Sequence, residues 1–470
     1  VPVELFSWGA AEEVTGSKHF LQVDDSLIMV DCGAFQGHRA EADEKNRNWN
    51  FDAGSVMSTI LTHAHYDHCG LLPLLSMKGF TGNIYATPAT RDLANLIMMD
   101  SAHIQSKDIE YLKKRAKKNG NKFDKQPLYT ERDVLRCLNH FITVSYHRRY
   151  FVADGVSAEF YDAGHILGSA ITSLDIERNG AKVRVGFSGD LGRKNLPILR
   201  DPEIIPPVDY LIMESTYGNR LHDPIETAKD KLAELVLRTV ERGGKVIVPA
   251  FAVERTQELV YMLHLLYDEG KIPKVPVFVD SPMATNATAI FRVHQECYDE
   301  ETQQAFMDHH NNPFGFNELT YVINTEESKR LNTMKEPAII ISASGMCESG
   351  RILHHLANNI EDPRATILIV GFMAQNTLGR RIVERLPEVR IFGRQHRLKA
   401  EVAVFNTFSA HADYGDILEY VQGLDRDRLK DIFLVHGEQE AQSSLKNRLN
   451  EQGYSTTIVK YGERYTLNSN

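Results

Sequence analysis

Apolar positions along this chain alternate with polar ones in short runs at both ends and recur at helical spacing in the middle. HFLQVDDSLIMVDCG reads as two strands around the turn residues Asp24 and Asp25, with Asp31 at the end of the second. STILT (58–62) is a further strand, running straight into HAHYDHCGLLPLL. Helical periodicity follows in TRDLANLIMMDSAHIQ and again in KDIEYLKKRAKKNGNK, which breaks at Asn119-Gly120. Residues 150–190 return to strand texture and end in AKVRVGFSGD; VDYLIMESTYG is another strand, closing on Glu214.

From about residue 218 the pattern changes. A helix over ETAKDKLAELVLRTVERGG leads to the strand KVIVPAF, and a helix over RTQELVYMLHLLYDEG leads to VPVFVD. PAIIISAS and ATILIVGF follow, each flanked by helical sequence. Continuous apolar strands alternating with helices predict a parallel sheet covered on both faces. After about 396 the β texture resumes in AEVAVFNTFSAHADY and DIFLVHGE, with a helix near 438–452 and a closing strand STTIVKYG. The economical reading is one domain, 1–217 and 396–470, interrupted by an inserted α/β domain, 218–395.

Composition narrows the class. At 470 residues, the chain is too long for one ordinary core, and 42% hydrophobic with 25% charged residues is near the globular average. No apolar run is long enough to span a bilayer, and the first residues lack the flanks of a secretory signal. Cys32, Cys69, Cys137, Cys297 and Cys347 are odd in number and widely spaced, which points to a reducing compartment; cytoplasm is the expected location. A net charge of −10 argues against coating nucleic acid through a general positive field, but not against a local groove. No GxxxxGK[ST] loop is present, so ATP-driven action is not expected. No appended RNA-binding module is expected beyond the 34 residues that follow His436 in this sequence.

The chemistry concentrates in HAHYDH. Three histidines and an aspartate within six residues, in a loop leaving a strand, allow His63 and His65 to face one cation, and Asp67 and His68 a second. The bland alternative, Asp67 as a helix N-cap beside surface histidines, weakens when the other strand ends are inspected. Asp31, His165 in DAGHILGSA, Asp190 in FSGD, Glu214, His411 in FSAHAD and His436 in LVHGE all fall at or just after strand ends. Any one of them alone is more simply a core histidine or a turn former. Together they suggest one rim.

HAHYDH matches the HxHxDH signature of the metallo-β-lactamase superfamily, and Asp31, His165 and Asp190 match its other metal-site motifs in order. Glu214 in MESTYG, His411 in SAHAD and His436 in VHGE resemble the three additional motifs of the β-CASP subfamily of nucleases. EVTGS, PAFAVERTQEL, VDSPMA and SASGM look like its RNA-processing branch, which includes the cleavage and polyadenylation endonuclease and its bacterial and archaeal relatives. The resemblance runs nearly end to end, and histidine at the last motif is the pattern of RNA-acting members.

The resemblance implies an α/β fold: an αββα sandwich of two sheets between helices, interrupted by an α/β β-CASP insert with a mainly parallel sheet. It implies two Zn²⁺ per chain, one held by His63, His65, His165 and Asp190, the other by Asp67, His68, Asp190 and His436, with Asp190 bridging. Asp31 would orient a ligand histidine. His411, kept protonated by Glu214, would give a proton to the leaving sugar oxygen. The implied function is a zinc-dependent ribonuclease leaving 3′-hydroxyl and 5′-phosphate ends, with single-stranded RNA as partner in an inter-domain cleft and no membrane. An endonuclease in RNA processing or decay is expected, with exonuclease action left open.

Two rivals stand beside it: a small-molecule ester, thioester or lactam hydrolase of the same superfamily, and a non-catalytic RNA-processing scaffold. For substrate grip, Ser344, Gly345 and Arg351 form a candidate phosphate nest in the insert, and KKRAKK (113–118) and HRR (147–149) are the main basic clusters. Arg255 is read as a structural anchor. The oligomeric state is open between a homo-oligomer and a subunit of a processing complex.

Overall fold

The computed structural model describes residues 3–37, 39–178, 181–308, 312–371, 373 and 376–468. The chain divides into two compact units, one of residues 1–194, 200–221 and 410–470, the other of 195–199 and 222–409.

The first unit is built on two seven-stranded sheets. One runs, edge to edge, Tyr465–Leu467, Val3–Ser7, His19–Val23, Ser26–Val30, Val56–Ile60, Asn83–Ala86 and Phe141–Thr143. The other runs Thr456–Ile458, Asp431–Val435, Tyr210–Glu214, Ala181–Phe187, Ala170–Arg178, Val156–Asp162 and Tyr150–Ala153. Leu5, Leu21, Ile28 and Ile60 of the first pack against Phe160, Leu174, Val185 and Phe433 of the second in one buried core. The outer face of the second sheet, through Leu211, Met213 and Leu434, is covered by Ile417 and Val421 of helix Tyr414–Gln422 and by Leu445 and Leu449 of helix Gln439–Glu451. The two strands under these helices, Tyr210–Glu214 and Asp431–Val435, are correspondingly apolar, whereas Asp175 and Arg184 of the neighbouring strands pair with each other at a partly exposed surface.

The two stretches of helical periodicity after residue 88 form one helix, Pro88–Lys118. Thr87 caps it, accepting a bond from the Thr90 N–H, and it ends where Gly120 takes a φ of +73°. Its buried face, Leu93, Ala94, Ile97, Met98 and Ala102, stops at residue 102, and the basic end is solvated.

The second unit carries a six-stranded sheet in the order Leu319–Tyr321, Val277–Val279, Ile339–Ser342, Val246–Pro249, Thr366–Ile369, Glu401–Val404. All of its pairings are parallel. The last strand marks a difference from expectation. Residues 396–409 were assigned to the flanking domain, but Glu401–Val404 pairs with Thr366–Ile369 as an edge strand of this sheet. Its β-branched, apolar residues identify a strand without identifying the neighbour that covers it. Arg255 lies in this unit, buried, in contact with Glu258 and 5.7 Å from the Phe408 ring, as a structural anchor should be.

No described helix is long and apolar enough to cross a membrane.

Candidate metal centre

Strand register creates the rim. Ser26–Val30 and Val56–Ile60 run parallel with Val30 opposite Ile60, so Asp31 and the HAHYDH loop leave the sheet side by side. In the other sheet, Tyr210–Glu214 and Asp431–Val435 run parallel with Glu214 opposite Val435, which delivers Glu214 and His436 together. Strand Ala181–Phe187 stops three residues before Asp190, and the Ser188–Gly189 turn carries that carboxylate to the same place.

The HAHYDH loop is pinned from below. The Cys32 N–H donates to the His68 carbonyl at 2.8 Å and the Ser17 N–H to the Asp67 carbonyl at 2.9 Å. A Cβ on Gly33 would lie 1.5 Å from the Asp67 carbonyl oxygen, so only glycine permits this approach. Asp67 is the second residue of helix Tyr66–Cys69, whose N-cap is His65, so its carboxylate is not a helix cap.

Three ring nitrogens converge at one point. His63 Nε2 and His65 Nδ1 are 3.1 Å apart, His165 Nε2 and His65 Nδ1 3.2 Å, and His63 Nε2 is 3.3 Å from Asp190 Oδ2. A second group faces the other carboxylate oxygen. His68 Nε2 lies 3.2 Å from His436 Nε2 and 3.3 Å from Asp190 Oδ1, and His436 Nε2 is 3.4 Å from Asp67 Oδ2. Within each group the donor atoms lie within 4.8 Å of one another.

Asp190 Oδ1 is buried without a hydrogen-bond partner, as is His165 Nδ1. Buried imidazoles that point their lone-pair nitrogens at one another and at an unsatisfied carboxylate are arranged for a cation between them. A tetrahedral zinc with bonds of about 2.0–2.1 Å keeps its ligand atoms roughly 3.3 Å apart, which fits the observed spacings. The two groups have the donor set and the spacing of a metal-binding site.

Electrostatics favour neutral rings in the first group and a charged one at His68, where two carboxylates take the place a cation would share. Burial holds His63 and His165 below the ordinary histidine range and takes His65 down to about 3, keeping these rings neutral as ligands must be. For His68, burial is outweighed by Asp190 and Asp31, which hold it well above that range. Asp190 is held well below the carboxylate range because His436, His68 and His63 overcome its burial.

The surrounding bonds orient the rings. Asp31 Oδ2 accepts from His68 Nδ1 at 2.8 Å and from Thr62 Oγ1 at 2.8 Å, and Asp31 Oδ1 accepts from the Thr62 N–H at 2.8 Å. His68 is thereby left with Nε2 toward the site. Asp31 and His436 both adopt left-handed backbone, at φ 64° and 50°, strain that such sites retain for placement.

Beside the two groups, His411 Nδ1 meets Glu214, and its ring lies 4.5 Å from the His165 ring. Glu214 is fully buried and accepts the Leu191 N–H at 2.7 Å, while its own N–H is held by Ser188 Oγ at 3.1 Å. Thr216 Oγ1 lies 3.1 Å from His436 Nδ1. Thr62, Ser188 and Thr216 were not read from the sequence as site residues. Their one signal is a hydroxyl next to a motif residue at the end of an apolar strand.

The substrate candidates fare differently, and the predicted phosphate nest lies in the second unit. Arg351 Nη1 is 2.6 Å from Asp280 Oδ1, and its guanidinium also donates to the Val322 and Ile323 carbonyls. It is a structural link, with three of its five N–H donors held by Asp280, Val322 and Ile323. Ser344 Oγ accepts from the Glu348 and Ser349 N–H groups, which closes the predicted nest on itself, and Gly345 faces the Phe251 ring. In the first unit, Arg149 is committed to Ser157 and Asp175, and His147 to Glu203, while the 113–118 cluster is mostly exposed.

Residues 20–182 match the metallo-beta-lactamase superfamily domain, 256–382 the Beta-Casp domain, and 395–459 the Zn-dependent metallo-hydrolase RNA specificity domain. Ribonuclease TTHA0252 of Thermus thermophilus is 35% identical over 462 residues, covering 98% of this chain and 99% of that protein. This chain belongs to the β-CASP family of the metallo-β-lactamase superfamily.

Other β-CASP relatives are longer. Transcription termination factor FttA of Thermococcus kodakarensis is 34% identical over 475 residues, covering 97% of this chain and 70% of that one. A solved structure of a protein of unknown function from Enterococcus faecalis V583 aligns over 99% of this chain and 100% of that one. Its TM-score is 0.58 at 13% identity, a likeness of fold alone. As a β-CASP metallo-hydrolase, the chain is an enzyme of the hydrolase class.

Proposed function

We propose that this chain is a metal-dependent ribonuclease that hydrolyses RNA phosphodiester bonds to 3′-hydroxyl and 5′-phosphate ends, acting mainly as an endonuclease in RNA processing or decay. The observation that carries the reading is the pair of histidine groups on either side of Asp190, with the His411–Glu214 pair beside them. A scaffold has no use for that arrangement, and an ester hydrolase has no need of a separate acid. The full-length likeness to a protein named as a ribonuclease supports RNA as substrate.

In this reading His63, His65, His165 and Asp190 hold one zinc, and Asp67, His68, Asp190 and His436 hold a second. When bound, the two ions would activate the attacking water and neutralise charge on the scissile phosphate. The remaining work falls to the chain. Asp31 keeps the His68 ring in the ligating orientation. Glu214 holds Nδ1 of His411 and stabilises its charge, which leaves Nε2–H to protonate the departing 3′ oxygen. Burial of these groups excludes bulk water and strengthens each interaction. A single strand is the RNA form able to bring one phosphate to side chains this buried. The five free, buried cysteines support a reducing, cytoplasmic setting.

The test is a time course on one long RNA, labelled at the 5′ end and prepared with a 5′-phosphate or a 5′-hydroxyl, with Asp67→Ala as blank. Internal fragments independent of the 5′ group are expected. Early release of labelled mononucleotide from the 5′-phosphate form alone would make the enzyme a 5′ exonuclease, and absence of variant-sensitive cleavage would remove the ribonuclease reading.

A further inference from the structure

Between residues 380 and 399 the chain carries seven Arg or Lys and two Glu, against a net charge of −10 for the whole. Its centre is an antiparallel hairpin, Glu388–Ile391 with Arg394–Arg397, in which Val389 and Ile391 are buried against the second unit's core. The two acids are already used, Glu384 by Arg380 and Glu388 by Arg397. Arg390 and Arg394 are exposed and make no ion pair among the described residues.

The tip is unusual. Its two-residue loop, Phe392-Gly393, has φ of +50° and +78°, the left-handed pair of a tight hairpin turn. Asn or Asp is favoured at the first of these positions, and a bulky ring there is strained. Phe392 nevertheless occupies it with 57% of its surface exposed, 4.6 Å from the ring of His354, itself exposed. An exposed aromatic flanked by unpaired arginines is the combination that holds single-stranded nucleic acid, by stacking and by phosphate contact.

We propose that the hairpin Glu388–Arg397 is a single-stranded RNA contact, in which the Phe392 ring, propped by His354, stacks on a base while Arg390 and Arg394 meet flanking phosphates. The proposal rests on the ribonuclease reading and gives the enzyme a grip on RNA outside the metal centre, one that accepts any base.

The test compares wild type, Phe392→Asn and Arg390→Gln/Arg394→Gln in the full-length chain. Asparagine suits the turn, so the first variant removes the ring without disturbing the hairpin, and unchanged melting and metal content check this. Affinity for a labelled single-stranded 20-nucleotide RNA is read by stopped-flow anisotropy across a salt series, ahead of cleavage. Phe392→Asn is expected to weaken binding at least about fivefold. The double variant is expected to weaken it and to flatten the log–log salt slope by about 1.4, the value for two single-strand phosphate contacts.

If wild type cleaves RNA and both variants bind it like wild type, the hairpin proposal is overturned and the ribonuclease reading stands. If wild type binds without cleaving and the variants lose binding, the hairpin is supported and the nuclease reading falls. A wild type that neither binds nor cleaves overturns both.

Discussion

His411 Nδ1 lies 3.1 Å from each carboxylate oxygen of Glu214, a side chain with no exposure to solvent. The two residues are separated by 197 positions in sequence and meet because the strand ending at Glu214 and the bridge between Gly192 and His411 bring them to one rim.

His411→Ala is therefore expected to abolish most cleavage, by about 10²- to 10⁴-fold, the range for a lost general acid. Metal content, measured by elemental analysis of the purified variant, should stay at the wild-type value. Stoichiometric loss of metal from a folded variant would instead make His411 a ligand, since Asp190, Glu214 and His411 can themselves surround a cation.

The pH dependence follows from the same pair. Burial opposes charge on His411, but Glu214, and behind it Asp190 and Asp67, outweigh it and push the imidazolium up to about 9. The protonated form is the donor, so kcat/KM should hold through neutral pH and fall as pH rises through about 9. Glu214→Gln removes the strongest interaction favouring the charge, and the falling limb should move down toward the ordinary histidine value of about 6.5. The contribution of this pair to stability has the same sign: fully present below about 6.5, lost as pH rises through about 9. Superimposable profiles for wild type and Glu214→Gln would remove Glu214 from this role.

Asp31→Asn should weaken metal binding on the His68 side by about 10- to 100-fold, the usual effect of removing a carboxylate that orients a ligand histidine. Chelator competition should then show one metal leaving well before the other, because among the described residues the Asp31 carboxylate bonds His68 and Thr62 and none of His63, His65 and His165. Simultaneous loss of both would mean that Asp31 supports the whole loop through Thr62.

Arg351→Ala should destabilise the second unit by about 3 kcal/mol, the scale for removing one partner of a buried pair, because the buried Asp280 carboxylate loses its guanidinium and keeps only His355 and the Ser328 hydroxyl as side-chain partners among the described residues. Urea denaturation measures this directly. RNA affinity of the folded variant should not change, since Asp280 and two backbone carbonyls already fix the guanidinium within the protein; a selective loss of RNA binding would assign Arg351 a phosphate contact through its remaining N–H donors.

Local pattern was enough for much of this protein. The run into HAHYDH, the apolar helix that follows, the break at Asn119-Gly120 and the alternating insert all depend on neighbours within a few residues, and periodicity reports those directly. The candidate ligands were readable too, because each follows a strand that a short apolar run marks.

What periodicity does not carry is the identity of the partner. Glu401–Val404 shows a half-buried strand, yet only its pairing with Thr366–Ile369 assigns it to the insert. Tyr465–Leu467 escaped notice as a strand because its value lies in pairing with Val3–Ser7 at the opposite end of the chain. Arg351 in a glycine- and serine-rich turn suggested a phosphate contact until Asp280, 71 positions away, claimed it. The metal centre obeys the same division. Sequence determined that His68 and His436 are ligand-type residues at strand ends, while tertiary structure alone decided that their Nε2 atoms stand 3.2 Å apart across 368 residues. Side-chain chemistry is local to each residue, but a coordination sphere is a set of distances, and those are set by the packing and register of two sheets.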